Sequence, residues 1–211
     1  MEHVTVKDLV LGSGGVLVSG SEEAPVSHIR LDSRQVEPGD LFVPLLGERV
    51  DSHRFLPQVM DQGAAAVLTS QELTLPEGGA GCAVIRVEDT KKALQKIGSY
   101  LRDRLTLPLV GVTGSVGKTT TREMIAAALS ARFRVYKTPG NSNSQVGVPV
   151  TLSEITENDQ VGVIELGMSE PGEMTVIANI ARVDMAVITN IGITHIGQLG
   201  SQENILREKL H

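Results

Sequence analysis

Apolar and polar positions follow one pattern in the first 87 residues of the chain. Short apolar runs such as GVLVSG and GCAVIRV alternate with turns rich in Gly, Pro and Asp. This alternation predicts short strands, with EPGD (37–40) as a tight turn between two of them. The segment SHRFLPQVMDQG (52–63) predicts a helix that ends at its glycine and leads into a buried strand, Ala65 to Leu68.

A longer helix and a turn close this half. EDTKKALQKIGSYLRDRL (88–105) has apolar residues at helical spacing and predicts an amphipathic helix. Its apolar stripe consists of Ala93, Leu94, Ile97, Leu101 and Leu105. The turn TLP (106–108) follows, and we place the domain boundary there. This gives an N-terminal domain of residues 1–105 and a second domain of residues 106–211.

The second half alternates strand and helix patterns. LPLVGVT and RVYKT predict strands on either side of the helix TTTREMIAAALSARF (119–133). QVGVIELG (160–167) and VDMAVITNIG (183–192) are near-continuous apolar runs, which predict strands covered on both faces. The alternation predicts an α/β fold with a parallel sheet.

The chain ends in SQENILREKLH (201–211), which predicts a helix with Ser201 as its N-cap. Because only four strands precede this helix in the second domain, the pattern predicts an incomplete sheet, and we expect a fragment of a longer protein. An unfinished sheet exposes a strand edge, from which we predict self-association or poor solubility. The sequence leaves the oligomeric state itself open.

Composition narrows the classes of partner. A net charge of −6 gives no basic footprint, and three Phe, two Tyr and no Trp give few stacking surfaces, so we expect no nucleic-acid partner. The N-terminus is charged, and no apolar run approaches the roughly 20 residues of a membrane helix, so we expect no membrane insertion. The single cysteine, Cys82, is predicted to be a buried thiol in a cytoplasmic protein.

The segment TGSVGKTTTREM (113–124) is the strongest candidate for chemistry. A strict phosphate loop needs glycine where this chain has Val112, but Gly114 and Gly117 remain between a predicted strand and a helix. Glycines let backbone N–H groups approach phosphate oxygens, and the helix N-terminus adds positive potential. Lys118 would reach the β- and γ-phosphates, and the Thr119 hydroxyl would hold Mg²⁺. The alternative is a glycine-rich turn without a ligand.

Two further residues are predicted at the same sheet edge. Glu165 ends one buried strand, and His195 follows the next strand pattern. Ligands of open α/β sheets gather beyond the carboxyl ends of the strands, so a carboxylate there can complete a magnesium site. Taken singly, a loop-facing carboxylate and a structural histidine are the alternatives. Their convergence with the loop favours a metal–nucleotide site.

These motifs resemble those of the Mur ligase family. GVTGSVGKTTTREM resembles its shortened phosphate loop, T-G-x-x-G-K-[ST], which also lacks the first glycine. TPGNSNSQVGVPVTL, VIELGMSEPGEM and VITNIGITHIGQLGSQENILREK resemble central-domain motifs of the members that add D-alanyl-D-alanine, and DSRQVEPGDLFVPLLGERVDSHRF resembles the uridine-binding domain. Pro44, Ser52 and Ser144 depart from the family pattern. Family members also continue into a third domain that contacts adenine and the dipeptide.

The resemblance implies roles for individual residues. Ser33 and Arg34 would contact the UDP part of the substrate, and Asn141 and Asn143 the substrate and the rim of the site. The ATP phosphates would be wrapped by Gly114, Ser115, Val116, Gly117, Lys118, Thr119 and Thr120. Thr119 and Glu165 would hold a first magnesium ion, and His195 would help to hold a second. Lys209 would match a lysine that many members carbamylate; an ordinary solvated helix lysine is the alternative.

The fold implied is a small α/β uridine-binding domain followed by an incomplete parallel-sheet ATP-binding domain. The reaction implied is ATP-driven amide formation between UDP-N-acetylmuramoyl-tripeptide and D-alanyl-D-alanine through an acyl phosphate, with Lys118, Glu165, His195 and Lys209 as catalytic residues. A ligase that adds a single amino acid, a folate-polyglutamate type ligase and a module that only binds nucleotide are alternatives. A switch protein is disfavoured because no N-K-x-D motif is present, and the sequence indicates no Ser-His-Asp or Cys-His constellation.

Overall fold

The computed structural model describes residues 1–47, 50–72 and 81–211. It divides into two compact units, Met1–Tyr100 and Leu101–His211. The division falls inside helix α3 (Thr90–Arg104), five residues before the end predicted for the first domain. Two residues of the uridine-domain motif, Glu48 and Arg49, lie outside the described residues.

The first unit is built on a mixed five-stranded sheet. Its elements are α1 (Val6–Ser13), β1 (Val16–Ser19), β2 (Ile29–Arg30), β3 (Leu41–Phe42), α2 (Leu56–Asp61), β4 (Ala66–Thr69) and β5 (Ala83–Arg86). The strand order is β1-β5-β4-β3-β2, with β1 antiparallel to β5 and the other neighbours parallel. The loops after the parallel strands therefore leave from one edge of this sheet.

The predicted helix over 52–63 is shorter in the structure. Ser52–Phe55 forms a 3₁₀ turn, and the α-helix begins only at Leu56, next to Pro57. Proline suits the first helical turn because its missing N–H has no intrahelical acceptor there. Gly63, with φ +89°, ends the segment as predicted, and β4 follows it.

The second unit alternates strands and helices. Its elements are β6 (Leu109–Thr113), α4 (Lys118–Ser130), β7 (Val135–Lys137), α5 (Gly147–Ser153), β8 (Val161–Glu165), α6 (Glu173–Ala181), β9 (Met185–Ile188), α7 (Ile196–Leu199) and α8 (Gln202–Lys209). The four strands are parallel in the order β7-β8-β6-β9. The α/β class and the parallel sheet are thus confirmed. Among the described residues, no helix has the length and apolar character to cross a membrane.

Strand burial confirms one prediction and contradicts another. Every residue of β8 is buried, as expected for a strand covered on both faces. The same prediction is wrong for β9, whose Met185 is 54% exposed and Ile188 37% exposed. β9 is the outer strand of the described sheet next to β6, so its apolar run does not indicate two covered faces.

The helix predictions were also confirmed only in part. The stripe on α3 is buried from Ala93 to Leu101, as predicted, and Leu105 is partly buried against the core of the second unit. Ser201 caps α8, since its hydroxyl accepts the Asn204 N–H over 3.1 Å. No helix was predicted for the segments that form α5 and α6, although both helices contribute to the core of the second unit.

Candidate active site

The loop between β6 and α4 depends on two glycines. Gly114 has φ +142°, and a Cβ there would lie 1.9 Å from the Thr189 hydroxyl oxygen. Gly117 has φ +82° and is the N-cap of α4. The first glycine therefore permits close approach of the chain after β9, and the second permits the left-handed turn into the helix. This is the strand–loop–helix context that the sequence predicts.

The loop amides divide into two groups. The N–H of Ser115 donates to the Asn190 carbonyl over 3.1 Å, and the N–H of Val116 donates to Asn190 Oδ1 over 3.0 Å. Those two amides are therefore engaged with the chain after β9. The first N–H groups of a helix have no intrahelical acceptor, so those of Lys118, Thr119 and Thr120 stay the predicted donors to a phosphate at α4. Phosphate contacts from Ser115 and Val116 stay a prediction.

Lys118 folds back over the loop. Its ammonium donates to the carbonyl oxygen of Gly114 over 2.9 Å, so the side chain lies along the loop. A cation in this position, close to the N-terminal amides of α4, gives the loop the positive charge that suits a polyphosphate. The predicted assignment of Lys118 to the nucleotide phosphates therefore fits its position.

Glu165 ends β8 within hydrogen-bond reach of α4. Its Oε2 accepts the Thr119 hydroxyl over 2.9 Å, and its backbone N–H donates to the Thr138 hydroxyl over 2.9 Å. The residue is only 2% exposed. The structure thus brings together the two residues that the sequence predicts as ligands of one magnesium ion. Their function as ligands stays a prediction.

Asn143 bonds to the end of β8 through its side-chain amide and to Gly167, just beyond that strand, through its backbone carbonyl. Its side-chain amide donates to Glu165 Oε1 over 2.8 Å, and its carbonyl accepts the Gly167 N–H over 2.8 Å. A Cβ at Gly167 would lie 2.8 Å from the Asn143 side chain, so glycine is needed there.

The neighbouring loop residues Asn141 and Ser144 are both exposed. The Asn141 carbonyl accepts the Asn143 N–H, and the Ser144 hydroxyl accepts the Gly147 N–H. The substrate contacts of Asn141 and Asn143 stay predictions.

Arg122 is a site residue that sequence reasoning missed. It is 4% exposed, and its Nη1 donates to Glu165 Oε2 over 3.3 Å and to the Gly140 carbonyl over 2.8 Å. A usable signal exists in the sequence: Arg122 follows Thr119 by three residues, which places both on one face of a helix. A cation on the helix face that bears Thr119, the threonine predicted to bind metal, indicates a carboxylate nearby.

His195 lies at the end of the chain segment that contacts the loop. Within that segment the Gly192 N–H donates to the Ser115 hydroxyl over 2.9 Å. His195 itself is partly buried, precedes α7 and has φ +64°, a conformation that few residues other than glycine adopt. The segment is therefore near the loop, whereas metal binding by the imidazole stays a prediction.

Lys209 is buried rather than solvated. It is 7% exposed, and burial lowers its pKa from 10.5 to about 8, with a further lowering by the charge of Lys118 and an opposing effect of Glu208. The alternative of an ordinary solvated helix lysine is therefore wrong. Glu208 is also buried and accepts the Met174 N–H at the start of α6 over 2.9 Å. A lowered pKa makes the neutral amine accessible, as carbamylation requires.

The predicted UDP contacts lie after β2 in the first unit. Ser33 is buried, and Arg34 is exposed with its guanidinium on the carboxylate of Asp32 at 2.5 Å. Hydrogen bonds from Arg34 lower the pKa of Asp32 to about 2. Arg34 is thus engaged in a local ion pair, and its grip on a diphosphate stays a prediction.

Asp51, His53 and Ser70 form a hydrogen-bonded chain in the first unit, which the sequence did not indicate. The Nδ1 of His53 lies 2.6 Å from Asp51 Oδ1, and its Nε2 lies 3.2 Å from the Ser70 hydroxyl. The Ser70 backbone N–H also points at Nε2 over 3.3 Å, which makes Nε2 an acceptor and places the ring proton on Nδ1. The same amide is then unavailable as an oxyanion donor, so this hydrogen-bonded chain favours a structural tie over a nucleophile.

The donors present fit a magnesium ion that is shared with phosphate. Among the described residues no group of three or more His, Cys, Asp or Glu side chains could hold a metal on its own. Thr119 and Glu165 offer two oxygen donors at adjacent positions. Mg²⁺ in nucleotide sites takes few protein ligands and completes its shell with phosphate oxygens and water. This donor set therefore suits a metal that arrives with a nucleotide.

Comparison with known proteins identifies the family. A model described as the catalytic domain of the Mur ligase family matches residues 25–101, and one described as the Mur ligase middle domain matches residues 112–211. The chain belongs to the Mur ligase family. The matched ranges correspond in order to the two regions that carry the sequence resemblance.

Individual Mur ligases are similar over nearly the whole chain. The UDP-N-acetylmuramoyl-tripeptide–D-alanyl-D-alanine ligase of Bacillus subtilis is 42% identical over 207 residues, which is 98% of this chain and 45% of that protein. A crystal structure of MurF from Acinetobacter baumannii gives a TM-score of 0.88 at 35% identity over 97% of this chain and 45% of that one. The structure of MurF ligase from Thermotoga maritima in complex with ADP gives a TM-score of 0.78 at 31% identity, over 88% of this chain and 42% of that one. The chain thus spans less than half the length of these Mur ligases.

Proposed function

We propose that this chain carries the substrate-nucleotide and ATP-binding parts of a ligase that adds D-alanyl-D-alanine to UDP-N-acetylmuramoyl-tripeptide. The observation that carries the proposal is the hydrogen bond from Thr119 to Glu165 beside the loop 114–118. This bond brings a hydroxyl and a buried carboxylate together beside the loop, which supports a site for a metal–nucleotide. The similarity to D-alanyl-D-alanine ligases over 98% of the chain supports the choice of substrates.

Cationic and N–H groups of the chain would bind the phosphates, and oxygen donors would bind the metal. The helix amides at Lys118, Thr119 and Thr120 and the Lys118 ammonium would bind the ATP phosphates. Thr119 and Glu165 would hold Mg²⁺, which when bound neutralises phosphate charge and orients the γ-phosphoryl group. Ser33 and Arg34 would position the UDP portion, and Asn143 would hold the Glu165 carboxylate in place.

The reaction explains why such a site contains cations rather than a nucleophile. The substrate carboxylate attacks the γ-phosphate, ADP leaves, and an acyl phosphate forms. The dipeptide amine then displaces inorganic phosphate to give the amide. Both partners of the first step are anions, so a site that lowers their repulsion accelerates it. Lys118 and the positive end of α4 would supply that effect from this chain.

A second candidate function is nucleotide binding without ligation. It is favoured by one observation, namely that the chain spans 45% of the Bacillus subtilis relative. We expect the 211 residues alone to bind nucleotide and to ligate negligibly. Robust formation of UDP-N-acetylmuramoyl-pentapeptide by these residues would contradict that expectation.

The experiment measures nucleotide binding first. Isothermal titration of ADP into the chain with magnesium should give binding that Lys118→Ala weakens about tenfold or more, since a charge-assisted phosphate contact is lost. Lys91→Ala, an exposed lysine on α3, is the matched control and should leave the affinity unchanged. Equal affinities of the wild type and Lys118→Ala would refute the phosphate assignment.

Substrate choice is tested with the product of the whole open reading frame. ATP turnover in the presence of UDP-N-acetylmuramoyl-tripeptide should require D-alanyl-D-alanine and should not proceed with D-alanine, L-lysine or D-glutamate. A preference for a single amino acid would replace the proposal with the alternative ligase. Turnover that needs no muramoyl nucleotide would refute both.

A further inference from the structure

Arg122 lies where helix α4, the end of β8 and the 138–143 loop come together. Its Nη1 donates to the Gly140 carbonyl over 2.8 Å and to Glu165 Oε2 over 3.3 Å. Its Nη2 donates to Glu123 Oε1 over 2.7 Å. The side chain is 4% exposed, so these contacts form in a site with little water. One buried guanidinium therefore joins three separate segments of the second unit.

The Glu165 carboxylate is held on both oxygens. Thr119 and Arg122 both donate to Oε2, and Asn143 donates to Oε1. Thr119 and Arg122 are three residues apart on α4 and project from the same face. Donors on both oxygens fix the plane of the carboxylate. Without Arg122, only Thr119 of these donors would remain on Oε2, and the link from Oε2 to Gly140 would be lost.

Arg122 is costly as a purely structural residue. A buried cation requires compensation by paired anions, and its Nε is buried without a hydrogen-bond partner in the part of the chain that the structure describes. Its neighbour Glu123 is shared with Lys137, so the compensation is divided among several groups. An apolar side chain of similar size would avoid this cost. This unfavourable burial of a cation indicates a function that needs the guanidinium itself.

We propose that Arg122 is a positioning residue that fixes the Glu165 carboxylate relative to the 138–143 loop, so that metal binding and the substrate loop share one hydrogen-bond network. This inference rests on the proposed function, because Glu165 is assigned there as a magnesium ligand. Arg122 acts through Glu165 and has no contact with a phosphate in this assignment. Its effect is therefore expected only when the metal is bound with the nucleotide.

The test compares ADP binding with magnesium and in EDTA for Arg122→Met. We expect the magnesium-dependent gain in affinity to fall about 10- to 100-fold, the range found when partners that orient a metal ligand are removed. The affinity in EDTA should change less than about twofold. Arg132→Met, an exposed arginine after α4, is the matched control and should retain the full gain. A gain in Arg122→Met equal to that of the wild type would overturn the inference.

Two additional variants separate positioning from folding. Arg122→Lys keeps the charge but lacks the fork that reaches two acceptors, so an intermediate gain is expected; it also carries the test if Arg122→Met is unfolded by circular dichroism. In a Glu165→Gln background, Arg122→Met should have no further effect on the gain, because the residue acts through that carboxylate. Additive losses would overturn the inference.

The same titrations distinguish a failure of the proposed nucleotide site from a failure of the proposal for Arg122. If wild-type chain binds ADP no more tightly with magnesium than in EDTA, the proposed function fails and the inference fails with it. If the wild type shows the gain and Arg122→Met retains it, only the positioning function of Arg122 is refuted.

Discussion

The hydroxyl of Thr119 lies 2.9 Å from Oε2 of Glu165, although 46 residues separate them in sequence. Thr119 is in the first turn of α4, and Glu165 is the last residue of β8. β8 pairs directly with β6, the strand that leads into the loop, so the parallel sheet brings both residues to one edge. The fold itself therefore holds together the two residues that we propose as ligands of one metal ion.

This contact predicts how Thr119 variants respond to magnesium. Thr119→Val keeps the shape but removes the hydroxyl, so we expect the magnesium-dependent gain in ADP affinity to fall about 10- to 100-fold, as for a lost metal ligand or its partner. Thr119→Ser keeps the hydroxyl and should retain most of the gain. Titration calorimetry with magnesium and with EDTA measures both. Equal behaviour of the two variants would remove Thr119 from the metal site.

Gly114 predicts a large effect on stability. In Gly114→Ala the new Cβ would fall 1.9 Å from the Thr189 hydroxyl oxygen, at a backbone φ of +142°. Steric overlap and backbone strain together should cost about 2–5 kcal/mol in the free energy of unfolding. Urea denaturation followed by circular dichroism measures the change.

The control for that experiment is another glycine of the same unit. A Cβ at Gly197 meets nothing within 4 Å, and its φ lies outside the left-handed range. Gly197→Ala should therefore change stability by less than about 1 kcal/mol. If both alanine variants were equally stable, the close approach of Thr189 to the loop would be wrong.

Local patterns predicted the strands that are buried within the sheet. The apolar runs that became β6 and β8 match their positions because both strands are covered on two faces. The same pattern failed for β9, since a run of apolar residues does not reveal whether a neighbouring strand is present. α5 was missed because Gly147 and Pro149 both disfavour a helix interior, yet here they lie in its first turn.

In the candidate site, too, local sequence patterns predicted some residues but not the contacts between distant segments. Lys118, Thr119 and Glu165 were found because a loop motif and a strand end each have a local signature. Contacts between distant segments were not accessible to such reasoning. The Asn190 bonds to Ser115 and Val116 depend on β9 lying beside β6, which sequence order does not state. The burial of Lys209 likewise depends on packing beyond α8.

Glu208 predicts a second effect on stability. Its Oε1 accepts the Met174 N–H in the first turn of α6, where no intrahelical acceptor exists. Glu208→Leu leaves that buried amide unpaired and should cost about 1–3 kcal/mol in the free energy of unfolding. Glu208→Gln keeps an acceptor oxygen and should lose less. Urea denaturation at neutral pH distinguishes the two variants.

An exposed glutamate on the same helix serves as the comparison. Glu203 pairs with Arg207 over 2.7 Å, and both side chains are about 70% exposed. Glu203→Leu should cost no more than about 0.5 kcal/mol, since exposed pairs one helical turn apart contribute little. A loss in Glu203→Leu as large as that in Glu208→Leu would mean that the amide of Met174 has no special dependence on Glu208.

Lys209 predicts a pH dependence of stability with a definite sign. Its pKa falls from 10.5 to about 8 on folding, mainly through burial and then through the charge of Lys118. Between about pH 8 and 10.5 the unfolded chain binds more protons at this residue than the folded chain does. Stability contributed by Lys209 therefore rises with pH across that window, and below pH 8 the residue carries a constant unfavourable contribution.

The measurement compares the wild type with Lys209→Met by urea denaturation from pH 7 to 10. The free energy of unfolding of the wild type should increase relative to Lys209→Met as the pH rises above about 8, because only the wild type loses a proton that folding disfavours. Lys91→Met, an exposed lysine on α3, corrects for effects of lysine removal in general and should run parallel to the wild type. Parallel curves for Lys209→Met and the wild type would show that the amine at Lys209 is solvated in the folded chain, and would leave carbamylation without its physical basis.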